Sequence, residues 1–415
     1  MSKSRVFVTG LGIISPLGLN VSATWNSINA GKSGINTITS FDSSDFETKI
    51  AGEIKGFDPL DYLDKKEARR TDRFVQLAVG ATNQALIQAS LDLSTIDAAE
   101  TSVIIGSGIG GIQTLSQQYA VLSEKGPGRV SPFLIPMMLA DMASAHVSMI
   151  TGALGTNFCT ISSCSSSADA IGLAAKLIRN NESEVVIAGG SEAPICPIAV
   201  AGFGNMRALS RNNAEPQKAS RPFDEKRDGF IMSEGSAVLI LESLNNVIKR
   251  GVKPMAELIG YASTSDAYHI TEPSPSGKNA ARAVQMALAA AEVEESQLDY
   301  INAHGTSTPL NDLRETIALK IALGNHANNV AISSTKSMTG HLLGASGALE
   351  AAISIMAMIN SIVPPTINLE NPGTGCDLNY TPNISISKPI RTVMSNSFGF
   401  GGHNSVLIFT QPKNL

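Results

Sequence analysis

Of the four cysteines in this 415-residue chain, Cys164 stands inside "SSCSSS", directly before "ADAIGLAAKLIRN", which reads as a tightly packed helix. A thiol at a helix N-terminus meets unpaired backbone N–H groups and the positive end of the helix dipole. Both favour the thiolate and lower its pKa from about 8.5. The same cysteine taken alone reads equally as a buried structural thiol. Two histidines complete a candidate set: His304 in "YINAHGTSTPLND" and His341 in "SSTKSMTGHLLGASGA", each after a strand-like run and beside a glycine. Each alone reads as a structural histidine; with Cys164 they allow thiol chemistry assisted by imidazole. The same residue types bind zinc, but Cys159 and Cys164 lack a common knuckle spacing and the histidines lie far along the chain. "GSGIGG", Gly106 to Gly111, fits the dinucleotide pattern G-x-G-x-x-G. No acidic residue follows at the spacing of about 20 residues that a ribose contact needs, Glu124 being too early, so it reads as a tight turn.

These residues sit at the ends of short β-branched runs: "RVFVTGLG", "SVIIGSGIGG", "EVVIAGGSEA", "SAVLILES", "YINAHGTST", "VAISSTKS" and "NSVLIFTQP". Alanine-rich segments of helix length, such as "FVQLAVGATNQALIQASL" and "GKNAARAVQMALAAAEV", lie between several of them. Strands alternating with helices predict an α/β fold with a largely parallel sheet. The helix after Cys164 and the one after His341 are alike, both rich in Ala, Gly and Ser and apolar on more than one face, as a helix enclosed between sheets is. The pattern therefore predicts two similar halves, 1–250 and 251–415, the first carrying the cysteine and the second both histidines.

Bulk properties narrow the class. A formal net charge of −5 argues against a general nucleic-acid binder. Four cysteines without a CxxC pair point to a reducing compartment. The start, "MSKSRVFVTGLG", has no signal h-region. The most apolar late stretch, "LLGASGALEAAISIMAMIN", is interrupted by Glu350 and short of the ~20 apolar residues of a membrane span, so it reads as a buried helix of a soluble protein.

Six segments run in order along nearly the whole chain: "VTGLGIISPLG", "SSCSSS", "RPFDEKRDGFIMSEG", "NAHGTSTPLND", "SSTKSMTGHLLGASGALE" and "SNSFGFGGHNS". Together they resemble the β-ketoacyl-[acyl-carrier-protein] synthases of the thiolase superfamily. "SDAYHITEPSPSG" and "VPPTINLENPGTGCDLNY" make the chain look most like the elongating synthases of bacteria and organelles. The resemblance implies a five-layered αβαβα thiolase fold, a homodimer, and an acyltransferase of fatty acid synthesis in the bacterial cytoplasm or, after transit-peptide removal, an organelle matrix or stroma. It implies no cofactor and no metal, since phosphopantetheine arrives on the acyl carrier protein. Cys164 is then the acyl-carrying nucleophile, with His304 and His341 as N–H donors to the enolate formed when malonyl-acyl carrier protein loses CO₂. The backbone N–H groups of Cys164 and Phe400 form the oxyanion hole, and Lys336 and Glu350 a polar pair beside His341, with Glu350 counted among the substrate-binding residues. Thr306 and Thr308 match positions that contact the pantetheine arm, with Thr271 and His269 in the entrance loop. Ile109 and Phe203 match acyl-pocket walls, and an aliphatic residue at 109 favours longer chains. Lys66, Arg69 and Arg70 of "DKKEARR", with Arg129 and Arg207, match docking positions for the acidic carrier protein.

The chain departs from the family pattern at Ser162 and Ser163, where Thr-Ala is usual, at Ser233 in place of a glycine, and at His403 in place of a threonine. The serine-rich version leans toward polyketide-type synthases. A degradative thiolase would need a second catalytic cysteine, for which Cys376 lies outside "SFGFGG". A non-catalytic chain-length-factor subunit would lack the nucleophile. A zinc-dependent or Cys–His hydrolase is the third alternative.

Overall fold

The computed structural model describes residues 4–413. Its main sheet has ten strands: β1 (Val6–Ile14), β2 (Thr101–Gly106), β3 (Asn157–Phe158), β4 (Val185–Glu192), β5 (Gly235–Ser243), β6 (Ala256–Ser265), β7 (Tyr300–Asn302), β8 (Ala331–Ser333), β9 (Thr392–Gly399) and β10 (His403–Thr410). They are ordered β8-β7-β9-β10-β6-β1-β5-β4-β2-β3. Read from each outer edge inward, the first five strands run 3-2-4-5-1 and the last five repeat that order with five added to each number. The two sets join where Phe7 and Val8 of β1 pair with Glu257 and Ala256 of β6.

The sheet is mixed, not largely parallel as the sequence pattern suggests. Only β2 and β7 run parallel to both of their neighbours; the remaining pairings are antiparallel. The reason is local. β9 and β10 are joined by the three-residue turn Phe400–Gly402, too short for the crossover that parallel strands require.

Seven helices matter for the site: α1 (Arg73–Gln88), α2 (Met142–Thr151), α3 (Ser166–Arg179), α4 (Pro197–Asn205), α5 (Lys278–Ala291), α6 (Pro309–Leu323) and α7 (Ser346–Asn360). α1 and α2 cover the outer face of the first half, and α5 with α6 beside it covers that of the second. α3 and α7 touch each other and pack on strands of both halves. The result is the five-layered αβαβα thiolase fold. Enclosure explains the composition of the two central helices. A Cβ at Gly347 of α7 would lie 2.8 Å from the Cβ and N of Ala168 in α3, so only small residues let these helices approach. The apolar stretch Leu343–Asn360, with mean hydropathy 1.4, is 83% buried, as befits a helix enclosed between the two five-strand sets.

The α1–β1 contact is equally close: a Cβ on Gly12 would meet the Ala81 carbonyl oxygen at 1.8 Å, whereas one on Gly202 of α4 meets nothing within 4 Å. Gly12→Ala is therefore expected to destabilise by about 1–3 kcal/mol or more through overpacking. Gly202→Ala should be neutral or gain ~0.5–1 kcal/mol of helix preference. Thermal unfolding of the two variants checks this; equal midpoints would contradict the packing argument.

Candidate active site

Cys164 occupies the 3₁₀ turn Ser163–Ser165, which leads straight into α3. Ser163 holds the left-handed φ of +54° and turns the chain sharply, leaving Cys164 at the helix entrance. The surrounding serines lock that turn. Ser162 Oγ donates to Asp169 Oδ2 at 2.5 Å, and Ser166 Oγ accepts from Ser162 N at 3.0 Å while donating to the Ser163 carbonyl at 2.7 Å. Ser165 Oγ donates to the carbonyls of Ser397 and His403 at 2.9 and 3.0 Å, tying the turn to the β9–β10 hairpin. Ser167 Oγ accepts from Ala348 N at 2.9 Å, tying it to α7. Short hydroxyl side chains that bond nearby backbone suit an irregular turn of this kind.

The histidines come from the other half. His341 is held by its backbone: its N–H donates to the Ile231 carbonyl at 2.7 Å, and its carbonyl accepts from Ser233 N at 2.9 Å. This is what the "RDGFIMSEG" segment contributes. His341 Nε2 lies 3.0 Å from Cys164 Sγ and its Nδ1 2.8 Å from Ser346 Oγ. His304, just past β7, has its N–H and that of Gly305 bound to Glu315 at 2.8 and 2.7 Å. Its Nδ1 lies 3.3 Å from Lys336 Nζ, which also forms a buried ion pair with Glu350. Cys164, His304 and His341 each direct one polar atom to a common point, all within 4.8 Å of one another.

Electrostatics assign the protons. An ammonium only donates, so His304 Nδ1 is the acceptor and its Nε2 carries the hydrogen toward Cys164. The Ser346 hydroxyl can donate or accept, so His341 can take either tautomer. Both histidines titrate well below their ordinary value, first because they are buried and then because the Lys336 cation is close. Glu350 is pushed up to about 7 by burial against the opposing pull of Lys336. The thiol corrects the expectation of a lowered pKa. Burial pushes Cys164 up to about 11, outweighing the Lys336 charge and the Phe400 N–H that pull it down. Loss of solvent, not the helix end, dominates in a closed site. Zinc's ligand types are present, but the Lys336 ammonium beside His304 opposes a second cation.

These groups lie in a cavity of about 430 Å³. Ile109, Phe203, Arg207, Thr271, Thr306, Thr308 and Phe400 all line it, so the "GSGIGG" turn is a cavity wall. Thr306 and Thr308 share a hydroxyl–hydroxyl bond of 2.9 Å, and the ring nitrogen Nδ1 of His269 accepts from Thr271 N at 3.2 Å. Glu350, expected to bind substrate, is corrected: it is buried behind Lys336, away from the cavity. Lys336 is also absent from the cavity lining: it touches His304 and acts on His341 and Cys164 through its charge. Lys66, Arg69, Arg70 and Arg129 are exposed and outside the cavity, with Arg70 stacked 4.4 Å above the Phe133 ring. Cys376 is buried in the core of the second half, among residues such as Tyr380. The Ser233 hydroxyl is wedged between Gly52 and Gly340 without a hydrogen-bond partner among the described residues. The His403 ring lies against Gly401, outside the cavity lining.

Sequence reading missed several site residues. Phe230 packs edge-to-face on both Phe203 and His341, with ring centroids 5.5 and 5.3 Å apart. Ser346 and Glu315 orient the two histidines. The signal for Glu315 was an acidic residue eleven positions after His304 on a helix whose flank is buried.

The β-ketoacyl synthase N-terminal domain model matches residues 3–246, and the C-terminal domain model matches residues 255–370. A 3-oxoacyl-[acyl-carrier-protein] synthase 2 of Synechocystis sp. is 51% identical over 409 residues, covering 99% of this chain and 98% of that protein. One of Coxiella burnetii is 46% identical over 411 residues, covering 99% of each. A solved type II polyketide ketosynthase, in complex with its acyl-carrier protein and bound to the hexaketide, superposes with a TM-score of 0.92 at 34% identity, covering 99% of this chain and 100% of that one.

Because only the thiolate is alkylated, a thiol pushed up to about 11 fixes the pH response. The rate of Cys164 alkylation by iodoacetamide, followed by intact mass against Cys164→Ala, should rise roughly tenfold per pH unit from 7 to 10 without a plateau. Replacing the ion pair by Lys336→Met with Glu350→Gln should slow alkylation at every pH, since the Lys336 charge favours the thiolate more than the Glu350 charge opposes it. A plateau below pH 8 would contradict this.

Proposed function

The chain belongs to the β-ketoacyl synthase family, and from that premise we propose that it is a 3-oxoacyl-[acyl-carrier-protein] synthase that lengthens fatty acyl chains by two carbons. The observation that carries this reading is the convergence of Cys164, His304 and His341 within 4.8 Å in one cavity. Cys164 sulfur attacks the thioester carbonyl of acyl-acyl carrier protein; its proton passes through His341 Nε2 to the departing pantetheine thiolate. The acyl group is then a Cys164 thioester. Malonyl-acyl carrier protein enters past Thr271, Thr306 and Thr308, and its carboxylate carbon departs as CO₂. The electron pair left behind spreads onto the thioester oxygen as an enolate, held by the Nε2–H of His304 and by His341 once its proton has moved from the Ser346-facing Nδ1 to Nε2. Because both rings are neutral, they stabilise that oxygen without an acidic proton that would quench the carbanion. The carbanion attacks the acyl carbonyl, the oxyanion is held by the Cys164 and Phe400 N–H groups, and collapse expels Cys164 thiolate, which takes up one proton from solvent, the one the decarboxylation consumes overall. Removing one such donor typically costs about 10²–10³ in rate.

Ile109 and Phe203 bound the acyl end of the cavity, and an aliphatic Ile109 leaves room for long chains. Lys66, Arg69, Arg70, Arg129 and Arg207 are exposed cations on an otherwise acidic enzyme, suited to steering an acidic carrier protein. The homodimer reading is supported by edge strand β3, flanked by Leu154 at 76% and Ile161 at 64% exposure. A strand edge with no partner among the described residues, set between exposed apolar side chains, is a ready interface for a second copy.

Mixing the protein with C14 or C16 acyl-acyl carrier protein should give one acyl adduct by intact mass, absent in Cys164→Ala. Malonyl-acyl carrier protein should discharge it to a ketoacyl product longer by two carbons. No adduct with any chain from C4 to C16 would overturn the fatty-acid reading.

A further inference from the structure

One buried carboxylate has no part in the steps above. Glu192, at the end of β4, is fully buried, and no ion pair to it is seen among the described residues. Instead it accepts four hydrogen bonds. Its Oε1 takes Ser107 Oγ at 2.9 Å and Ile109 N at 3.1 Å; its Oε2 takes Gly108 N at 2.7 Å and Gly344 N at 2.9 Å. Ser107 Oγ in turn accepts from Gly110 N at 3.0 Å, extending the tie through the turn. The carboxylate thus bridges two segments distant in sequence: the wall carrying Ile109, and the turn Leu343–Ala345 that follows His341. Ile109 and Leu343 both line the cavity. The site is built for this bridge, because a Cβ at Gly344 would lie 2.3 Å from Gly108 N and 2.6 Å from Glu192 Oε2. Four converging donors match only a group that is all acceptor, which a carboxylate is and an amide is not.

We propose that Glu192 is a positioning residue for acyl-chain selection, fixing the Ile109 wall against the Leu343 turn so that long chains are accepted. The inference rests on the reading of Ile109 as the acyl-pocket wall. Glu192→Gln sets an amide NH₂ against at least one backbone donor, Ile109 N in one orientation or Gly108 N and Gly344 N in the other, and the wall shifts from its place. Short acyl groups need little of that wall; long ones must pass it. Glu192 also pushes the Cys164 thiol up, an influence common to every acyl donor, so the informative quantity is a ratio.

The test is single-turnover acylation of Cys164 by C14 and by C4 acyl-acyl carrier protein, in wild type, Glu192→Gln and Ser107→Ala. Loss of a charge-assisted buried bond predicts a C14:C4 rate ratio about tenfold lower in Glu192→Gln, and a smaller fall in the same direction in Ser107→Ala. Equal losses for both chains, or an unchanged ratio, overturn the proposal. Should Glu192→Gln fail to fold, Ser107→Ala decides: it keeps the carboxylate, and an unshifted ratio there is equally fatal. Wild type that accepts neither chain would sink the condensing reading and this inference with it. Wild type that accepts both, beside variants without a skew, would sink the inference alone.

Discussion

The site depends on a single buried charge. Lys336 places its ammonium among α7 and the strand ends of the second half, 1% exposed, ion-paired with Glu350 and in contact with His304. Burying an ion is costly, and a buried pair repays that cost only when its geometry is complete, so this one is weak evidence for stability. Its consequence lies in the protons. A cation that can only donate leaves His304 one tautomer, with Nε2–H aimed at the reacting centre, and together with burial it keeps both imidazoles neutral. The same charge pulls against the desolvation that raises the Cys164 thiol. Burial sets the direction at all three reactive groups, and this one ammonium acts on each of them: with burial at the two histidines, against it at the thiol.

The repeated strand order places that ammonium opposite the nucleophile. Each half delivers a 3₁₀ turn opened by a left-handed residue and then a central helix: Ser163 opens Ser163–Ser165 before α3, and Leu343 opens Leu343–Ala345 before α7. Cys164 and Gly344 hold equivalent places in the two turns. One elbow carries the sulfur; the other, lacking a side chain, admits the Glu192 carboxylate beneath the cavity wall. Small residues on α3 and α7 let the elbows meet, which is why Cys164 reaches His341 at 3.0 Å across 177 positions of sequence.

Much of this was legible in the chain. The runs at "VVIAGG", "AVLILES" and "SVLIF" are strands because β-branched residues fill positions buried on both faces. β6, β9 and β3 were not read. "AELIGYASTS" and "TVMSNSFG" carry polar or small residues where the pattern demands apolar ones, and β3 is only two residues long. Ser395, Asn396 and Ser397 in β9 are buried polar groups behind the catalytic turn, and no periodicity marks such positions. The site residues within the quoted motifs were found because they lie at strand and helix ends. Glu192, Glu315 and Ser346 act by holding backbone or a ring nitrogen, and their partners are fixed only by folding. The raised thiol was missed for a similar reason: local sequence shows a helix end, while burial is a property of the whole assembly.

The central claim is that burial together with the Lys336 ammonium holds His304 neutral, and that the ammonium puts its hydrogen on Nε2. The most direct measurement is ¹⁵N NMR of histidine-labelled protein, with His304 and His341 assigned from single His→Gln variants. The expected result is a neutral Nε2–H signature for His304 that does not change from about pH 5.5 to 8.5, where an unperturbed histidine would titrate. An imidazolium signal from His304 anywhere above pH 6, or an Nδ1–H tautomer, would contradict the account.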